Sequence, residues 1–270
     1  AFGVPHWISG LVLAIAAGLV IIGGLKRIAA FTERLVPIMA LFYVVGALII
    51  LTIFAKDIPA AFGLIFRSAF TGTAAVGGFA GSTIMMAARY GVARGVFSNE
   101  AGLGSAPIAH AAATTDSAVR QGLWGIFEVF MDTIIVCSMT ALTIVVTGVW
   151  DTGLDGAALS TEAFNKGLPG PGGIIVAIGI LLFAYSTILS WSYYGERCAE
   201  YLFGSRINKF YRIIWVPFIY IGSVGGLELM WNIADTLNGL MAIPNLIGLI
   251  GCSGIVFKLT KEYFSNKNAL

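Results

Sequence analysis

Residues 75–83 read Ala-Val-Gly-Gly-Phe-Ala-Gly-Ser-Thr and stand at the centre of an apolar run from about 69 to 92. A helix of that length crosses the roughly 30 Å of hydrocarbon in a bilayer. The three glycines among residues 77–81 each disfavour continuous helix by about 1 kcal/mol relative to alanine. The run therefore predicts a membrane span of one of two kinds. It is either a helix packed closely through small residues, or a helix discontinuous at about 77–82 whose free backbone groups line a cavity.

The composition of the whole chain fits a membrane protein. Of the 270 residues, 58% are hydrophobic and 11% are charged, and the mean hydropathy is +0.89. Soluble domains carry about 25% charged residues, because their surface faces water. We therefore predict an all-α polytopic membrane protein in contact with the lipid bilayer. The net charge of +2 gives no indication of a nucleic-acid partner. The three cysteines show no metal-ligand or disulfide spacing, and no cofactor is predicted.

Seven apolar segments have the length of a membrane span. They lie at about 7–24, 36–55, 69–92, 118–148, 172–196, 210–226 and 228–257. The last contains Pro244, which removes a backbone hydrogen bond, so it is either one kinked span or two short pieces. We treat residues 1–270 as a single transmembrane domain. The chain opens inside a loop without a methionine or a signal peptide, and we expect further N-terminal spans to precede it.

The positive charges predict an orientation. Thirteen of the 16 Lys and Arg residues fall in alternate connections and the C-terminal tail, and only three fall in the other connections. Cytoplasmic connections are the ones enriched in Lys and Arg. The pattern therefore predicts a multi-pass protein of the plasma (inner) membrane with a cytoplasmic C-terminus.

Polar residues in two predicted spans are candidates for cation binding. In the fifth span, the carbonyl of Phe183 and the hydroxyls of Ser186 and Thr187 have i, i+3, i+4 spacing and can converge on one face. Hard oxygen ligands of this kind suit sodium. The alternative is that the hydroxyls bond to carbonyls of their own helix. Asp132, near the middle of the fourth span, either ligates a cation or makes a structural hydrogen bond.

The connection from Arg94 to His110 contains Ser98-Asn99-Glu100-Ala101-Gly102-Leu103-Gly104-Ser105. Its Gly-x-Gly lacks the preceding strand and the spacing of a nucleotide-binding loop. Ser98 or Asn99 is a candidate N-cap, and Ser105 with Pro107 can begin another helix. We predict a cytoplasmic gate or hinge at this connection, in which Arg94 pairs with Glu100 and Asn99 takes part.

Three strings of the sequence resemble the alanine/glycine:cation symporter family, which consists of sodium-coupled carriers within the amino acid–polyamine–organocation superfamily. They are GGFAGSTIMMAARYG (77–91), ARGVFSNEAGLGSAPIAHAAA (93–113) and YSTILSWSYYGERCAEYLFG (185–204). The resemblance extends over essentially the whole chain. It implies a five-plus-five inverted-repeat core, of which the seven predicted spans are the fourth to the tenth.

The resemblance also implies site residues. Gly78, Phe79 and Gly81 match an unwound substrate-binding stretch. Positions in the fifth span that match the substrate pocket are Thr187, Ile188 and Trp191. A sodium site is implied beside Ser186 and Thr187.

The predicted function is a sodium-coupled secondary symporter that imports a small neutral amino acid, alanine or glycine, by alternating access. An ion or solute channel requires a pore-lining polar stripe, whereas each span here has one polar cluster. A membrane enzyme requires a converging nucleophile, base or metal set, and neither histidine lies at membrane depth beside one. A channel and a non-transporting membrane subunit are the alternatives, and an enzyme is not predicted.

Overall fold

The computed structural model describes residues 4–70 and 84–265, and each regular element in those ranges is helical, as predicted. The α-helices are α1 His6–Ile21, α2 Leu25–Ile53, α3 Ile58–Phe70, α4 Ile84–Ser98, α5 Ala106–His110, α6 Ala118–Val129, α7 Ser138–Val146, α8 Gly156–Gly167, α9 Gly172–Phe203, α10 Ile207–Val224 and α11 Leu227–Ser265. A π-helical segment, Phe130–Cys137, joins α6 to α7. The predicted discontinuity at 77–82 lies outside the described residues.

Four helical runs among the described residues are long and apolar enough to cross a membrane. They are Lys26–Ile53, Ala118–Val146, Gly172–Phe203 and Leu227–Ser265, and α1 is a shorter apolar helix. Because several of its helices are long and apolar enough to cross a bilayer, the chain is a multi-pass membrane protein. Helix α11 runs without a break through Pro244, so the alternative of two short pieces is wrong.

The chain divides into two compact units. The first comprises Ala1–Ala88 and Val136–Gly225. Its core is formed by buried side chains of α1, α2, α9 and α10: Ala14, Ala17, Val20, Ile21, Ile28, Tyr185, Leu189 and Ile219. The Tyr185 hydroxyl donates to the Ala16 carbonyl at 2.8 Å, which ties α9 to α1. A Cβ on Gly10 would lie 2.7 Å from Ser223 Cβ, so this glycine permits the close approach of α1 to α10.

A charged cluster joins α9 to α10 in the same unit. The Glu196 residue is only 3% exposed. Its carboxylate accepts hydrogen bonds from Arg212, at 2.6 Å from Nε and 2.7 Å from Nη2. Arg197 adds a contact of 3.2 Å. A buried carboxylate is tolerated only with partners of this kind, so the cluster holds the two helices together.

The second unit comprises Arg89–Ile135 and Gly226–Leu270. Its described part contains residues 89–98 of α4, the short α5, α6, residues 130–135 of the π-helical segment and α11. None of the residues of α11 is buried, and their side chains are largely apolar. A helix that is apolar all round suits contact with lipid or with further helices.

Candidate functional site

The second unit contains a non-helical connection between α4 and α5, residues 99–105, which we call the break. Helix α4 ends at Ser98, and helical structure resumes only at Ala106. The φ angles of Glu100, Gly102 and Gly104 are +50°, +76° and +81°. Three left-handed residues within five therefore turn the chain sharply between the two helices.

The first turn of the break is a Schellman motif. The amide of Ala101 donates to the carbonyl of Val96 at 3.1 Å, and the amide of Glu100 donates to that of Phe97 at 3.4 Å. Glycine usually occupies the left-handed position of this motif, and a residue with a Cβ costs roughly 1–2 kcal/mol there. Glu100 is the one described non-glycine residue with positive φ. Its conformation is therefore held by its surroundings, as at many functional sites.

The π-helical segment contacts the end of α4 through two side-chain hydrogen bonds. Ser98 Oγ donates to Asp132 Oδ2 at 2.5 Å, and Thr133 Oγ1 donates to Asn99 Oδ1 at 2.6 Å. π-Helical geometry is rare and, where it interrupts an α-helix, is frequent at functional sites. Asp132 is also the fifteenth of the 29 residues in the membrane-length run Ala118–Val146, which makes it the midpoint.

Helix α11 contacts the other side of the break. Asn245 Nδ2 donates to the Gly102 carbonyl at 2.9 Å. A Cβ on Gly104 would lie 2.8 Å from Asn245 Oδ1, so the helix and the break approach too closely for a side chain at position 104. Asn245 is the nineteenth of the 39 residues of α11. The end of α4 and the break are therefore bonded to residues near the middle of two long apolar helices.

The predicted ion pair of Arg94 with Glu100 is wrong. Arg94 Nη2 instead lies 2.6 and 2.5 Å from the two carboxylate oxygens of Asp235 on α11. Its guanidinium carbon is 4.1 Å from the centroid of the Trp231 ring, which adds a cation–π contact. The partner is 141 residues away in sequence, and a one-sequence pattern favours the nearer carboxylate.

The predicted caps of this connection have mixed outcomes. Asn99 and Ser98 do not begin a helix, because α4 ends at Ser98. The helix start predicted at Ser105 and Pro107 is confirmed, since Ser105 precedes α5 and the proline lies in its first turn. The gate itself stays a prediction.

The candidate sodium ligands lie on α9, a continuous helix in the first unit. Ser186 is 7% exposed, and its hydroxyl donates to the Phe183 carbonyl at 2.9 Å. The Ser190 hydroxyl likewise donates to the Ser186 carbonyl at 3.1 Å. These are the bonds within one helix that the sequence left open as an alternative. Thr187 is exposed on the neighbouring face. The hydroxyl oxygen of Ser186 retains its lone pairs while it donates, so it can still accept a cation, as can the hydroxyl oxygen of Thr187.

The three pocket residues predicted on α9 do not share one described cavity. Ile188 lines a cavity of about 300 Å³ together with residues of α10: Trp215, Phe218, Ile219, Gly222 and Ser223. Trp191 packs edge to face with Tyr194 at a centroid distance of 5.8 Å. Neither Thr187 nor Trp191 lines the cavity. Gly78, Phe79 and Gly81 lie outside the described residues.

Sequence reasoning missed Asn245 and Asp235 as partners of the break. Each is a polar residue inside a long apolar helix, which is costly unless the side chain has a partner. The sequence pattern predicts a kink or an interruption of the last span at Pro244, but no hydrogen bond from Asn245.

Comparison with known proteins finds one family model and several relatives that are transporters. Residues 1–270 match the model of the sodium:alanine symporter family. The chain is 50% identical over 266 residues to the sodium/alanine symporter AgcS of Methanococcus maripaludis, and 48% identical over 265 residues to an uncharacterized transporter of Haemophilus influenzae. It is 38% identical over 271 residues to the probable sodium/glutamine symporter GlnT of Bacillus subtilis. These alignments cover 97%, 97% and 100% of the chain but 58%, 58% and 56% of the relatives, so the chain spans a little over half of their length.

Proposed function

The chain belongs to the sodium:alanine symporter family, whose members are transporters and not enzymes, and from this premise we propose that it takes part in sodium-coupled symport of a small neutral amino acid, alanine or glycine. The observation that carries the proposal is the break at residues 99–105. Gly102 of the break is bonded to Asn245, and Ser98 at the end of α4 is bonded to Asp132; both partners lie near the middle of a membrane-length helical run.

The break supplies what a zwitterionic substrate needs. Helix ends leave amide and carbonyl groups without helical partners. At membrane depth such groups are tolerated only when they are buried in protein or line a cavity. Free carbonyls suit the substrate ammonium group and free amides suit its carboxylate. Gly102 and Gly104 let a small ligand approach the backbone closely.

The break is one of two proposed positions for the discontinuous span. The other is the stretch 77–82 in the apolar run 69–92, where the resemblance implies that Gly78, Phe79 and Gly81 bind the substrate. Thr187, Ile188 and Trp191 remain proposed substrate contacts on α9.

Sodium is the proposed coupling ion, and α9 is its proposed location. The Phe183 carbonyl and the hydroxyls of Ser186 and Thr187 are the hard oxygen atoms that sodium prefers. Asp132 is the alternative ligand. Its 2.5 Å hydrogen bond from Ser98 favours a different role for this carboxylate, namely fixing the end of α4 beside the break.

Transport of radiolabelled substrate by the full-length protein in proteoliposomes tests the proposal. An inward sodium gradient should raise initial alanine or glycine uptake about ten-fold above an equal potassium gradient. Uptake should also saturate with substrate. Glutamine is the informative competitor, because the name of the Bacillus relative associates that larger amino acid with this family. Flux that does not saturate and ignores sodium would instead favour a channel.

The proposed orientation has its own test. The C-terminus, after α11, is proposed to be cytoplasmic in the inner membrane. A reporter that fluoresces only in the cytoplasm, fused after residue 270, should be bright. A reporter active only outside the membrane should be silent at the same position, and the reverse result would overturn the orientation.

A further inference from the structure

A surface cavity lies at the start of α6, within the second unit. It has a volume of about 500 Å³, which is in the range of small-molecule sites. Its lining residues are Thr114, Thr115, Asp116, Arg120, Gln121 and Trp124. They provide one carboxylate, one guanidinium group, hydroxyl and amide groups, and one indole ring. The cavity therefore offers partners to a ligand that has both charged and apolar parts.

The two charged groups of the cavity are opposite in sign and close together. Arg120 Nη1 donates to Asp116 Oδ1 at 2.9 Å, and the two side chains are 49% and 77% exposed. An ion pair this exposed contributes little to stability, because water screens it. The guanidinium has further N–H groups in a planar fork that matches a phosphate, and the carboxylate can accept from an ammonium group. The pair thus complements a ligand that carries one phosphate and one ammonium group.

The cavity lies at one end of a membrane-length helical run. That run is Ala118–Val146, and both Arg120 and Trp124 fall within its first two turns. Tryptophan and arginine side chains at the ends of membrane helices typically anchor them among the lipid headgroups. The charged part of the cavity is therefore at the end of the run where lipid headgroups are expected.

An exposed aromatic track continues from the cavity along α6. Arg120, Trp124 and Phe127 are spaced i, i+4, i+7 and so share one face of the helix. Trp124 and Phe127, which form the track, are 59% and 52% exposed, and their rings pack edge to face at a centroid distance of 5.7 Å. Along this face a charged group is followed by apolar rings toward the middle of the run. A phospholipid has the same order of groups, from its headgroup to its acyl chains.

We propose that this cavity binds the phosphoethanolamine headgroup of a membrane phospholipid, whose acyl chains lie along the aromatic track. Arg120 and the Thr114 hydroxyl donate to the phosphate, and Asp116 accepts from the ammonium group. Gln121 is a second acceptor. Its amide nitrogen donates to His110 Nδ1 at 2.8 Å, and its carbonyl oxygen remains for the ligand.

Retention of lipids by the full-length protein tests this site. The protein is reconstituted in bilayers that contain equal amounts of phosphatidylethanolamine, phosphatidylcholine and phosphatidylglycerol. It is then extracted in a mild detergent, and its bound phospholipids are counted by mass spectrometry. Phosphatidylcholine has the same charges but no ammonium N–H, and phosphatidylglycerol has no positive charge. We therefore expect phosphatidylethanolamine to be enriched about three-fold or more over each of the other two.

Two variants separate the two charges of the cavity. Asp116→Asn removes the acceptor for the ammonium group and leaves the guanidinium, so the preference should change from phosphatidylethanolamine to phosphatidylglycerol. Arg120→Gln removes the partner of the phosphate, so the enrichment should be lost without a gain in phosphatidylglycerol. The matched controls are Asp151→Asn and Arg206→Gln, changes at exposed residues of the first unit, which should retain the enrichment.

Three results would overturn the lipid site. Equal retention of the three lipids by the unsubstituted protein would show that no headgroup is selected, and this result does not depend on the folding of any variant. An unchanged preference in both Asp116→Asn and Arg120→Gln would place the bound lipid elsewhere. Loss of the enrichment in the presence of millimolar soluble phosphoethanolamine would show that the cavity holds a free solute. None of these measurements involves transport, so the lipid site and the proposed function can fail separately.

Discussion

Asn245 Nδ2 donates to the carbonyl oxygen of Gly102 at 2.9 Å, and this bond joins the middle of α11 to the break between α4 and α5. Asn245 directly follows Pro244, which has no backbone N–H and therefore leaves one carbonyl of α11 without its usual donor. Helix α11 therefore lacks one backbone hydrogen bond close to Asn245, whose side chain is bonded to the break. The relationship predicts that α11 and the break change conformation together.

The Asn245→Asp variant tests this coupling. A carboxylate cannot donate to the Gly102 carbonyl and repels it, so we expect sodium-driven alanine uptake to fall about ten-fold, which corresponds to about 1.4 kcal/mol. Asn232→Asp, an exposed change on the same helix, is the matched control and should retain uptake. Equal uptake by the two variants would show that the Asn245 bond has no role in transport.

The Gly104→Ala variant should impair both folding and transport. Position 104 has φ +81°, and a Cβ there would lie 2.8 Å from Asn245 Oδ1. A left-handed alanine costs roughly 1–2 kcal/mol before any steric cost is added. Thermal unfolding in detergent should therefore occur at a lower temperature. Gly254→Ala is the control, because no atom lies within 4 Å of its added Cβ and alanine favours helix by up to about 1 kcal/mol. A Gly104→Ala protein as stable as the Gly254→Ala protein would contradict the described backbone.

The contacts of Arg94 with Asp235 and Trp231 predict that lysine can replace this arginine only in part. The guanidinium bonds both carboxylate oxygens and lies 4.1 Å from the Trp231 ring centroid. Lysine preserves the charge but not the planar stacking group, so Arg94→Lys should transport less than the unsubstituted protein and more than Arg94→Gln. Exchanging the two charges, Arg94→Asp with Asp235→Arg, should restore part of the uptake lost by Arg94→Asp alone. Independent, additive losses would argue against a direct role of the pair.

Membrane-length helices can be predicted from sequence because length and apolarity are properties of each segment. Four of the seven predicted spans, 36–55, 118–148, 172–196 and 228–257, overlap the four membrane-length runs, although the run Lys26–Ile53 begins ten residues earlier than predicted. No tertiary contact is needed for that prediction. A run of about 20 apolar residues must be helical in lipid, since every backbone group has to be bonded within the segment.

The helix break could not be located in the same way. Residues 98–105 contain Ser, Asn, Glu and two glycines, which in a hydropathy pattern resemble a loop at a membrane surface. Their position in the fold depends on the hydrogen bonds between Ser98 and Asp132 and between Asn245 and Gly102. These pairs are 34 and 143 residues apart in sequence. One sequence carries no record of such distant pairs. The predicted pairing of Arg94 with Glu100 failed for the same reason.

The Thr187→Ala variant tests the sodium site proposed on α9. If the Thr187 hydroxyl ligates sodium, its loss should raise the half-saturating sodium concentration for alanine uptake about ten-fold, with little change in the maximal rate. Ser190→Ala is the control, since that hydroxyl already donates to the Ser186 carbonyl at 3.1 Å and belongs to no proposed ligand set. The same sodium dependence in both variants would remove Thr187 from the site.

Glu196 and Arg212 provide a test of the first unit that does not depend on transport. The Glu196 side chain is 4% exposed, and two hydrogen bonds of 2.6 and 2.7 Å join it to Arg212. Glu196→Gln leaves the guanidinium without its counter-charge, and removal of one member of a buried ion pair typically costs about 3–5 kcal/mol. We expect a marked fall in the temperature of thermal unfolding.

The double variant Glu196→Gln with Arg212→Gln tests whether the two residues stabilise the protein as a pair or independently. Two amide side chains can bond to each other without an isolated charge, so the double variant should be more stable than either single variant. Glu262→Gln is the control, because its carboxylate is exposed and lies 4.0 Å from Lys258 near the end of α11. If the losses from Glu196→Gln and Arg212→Gln simply add, the two residues act separately, and the ion pair does not hold α9 to α10.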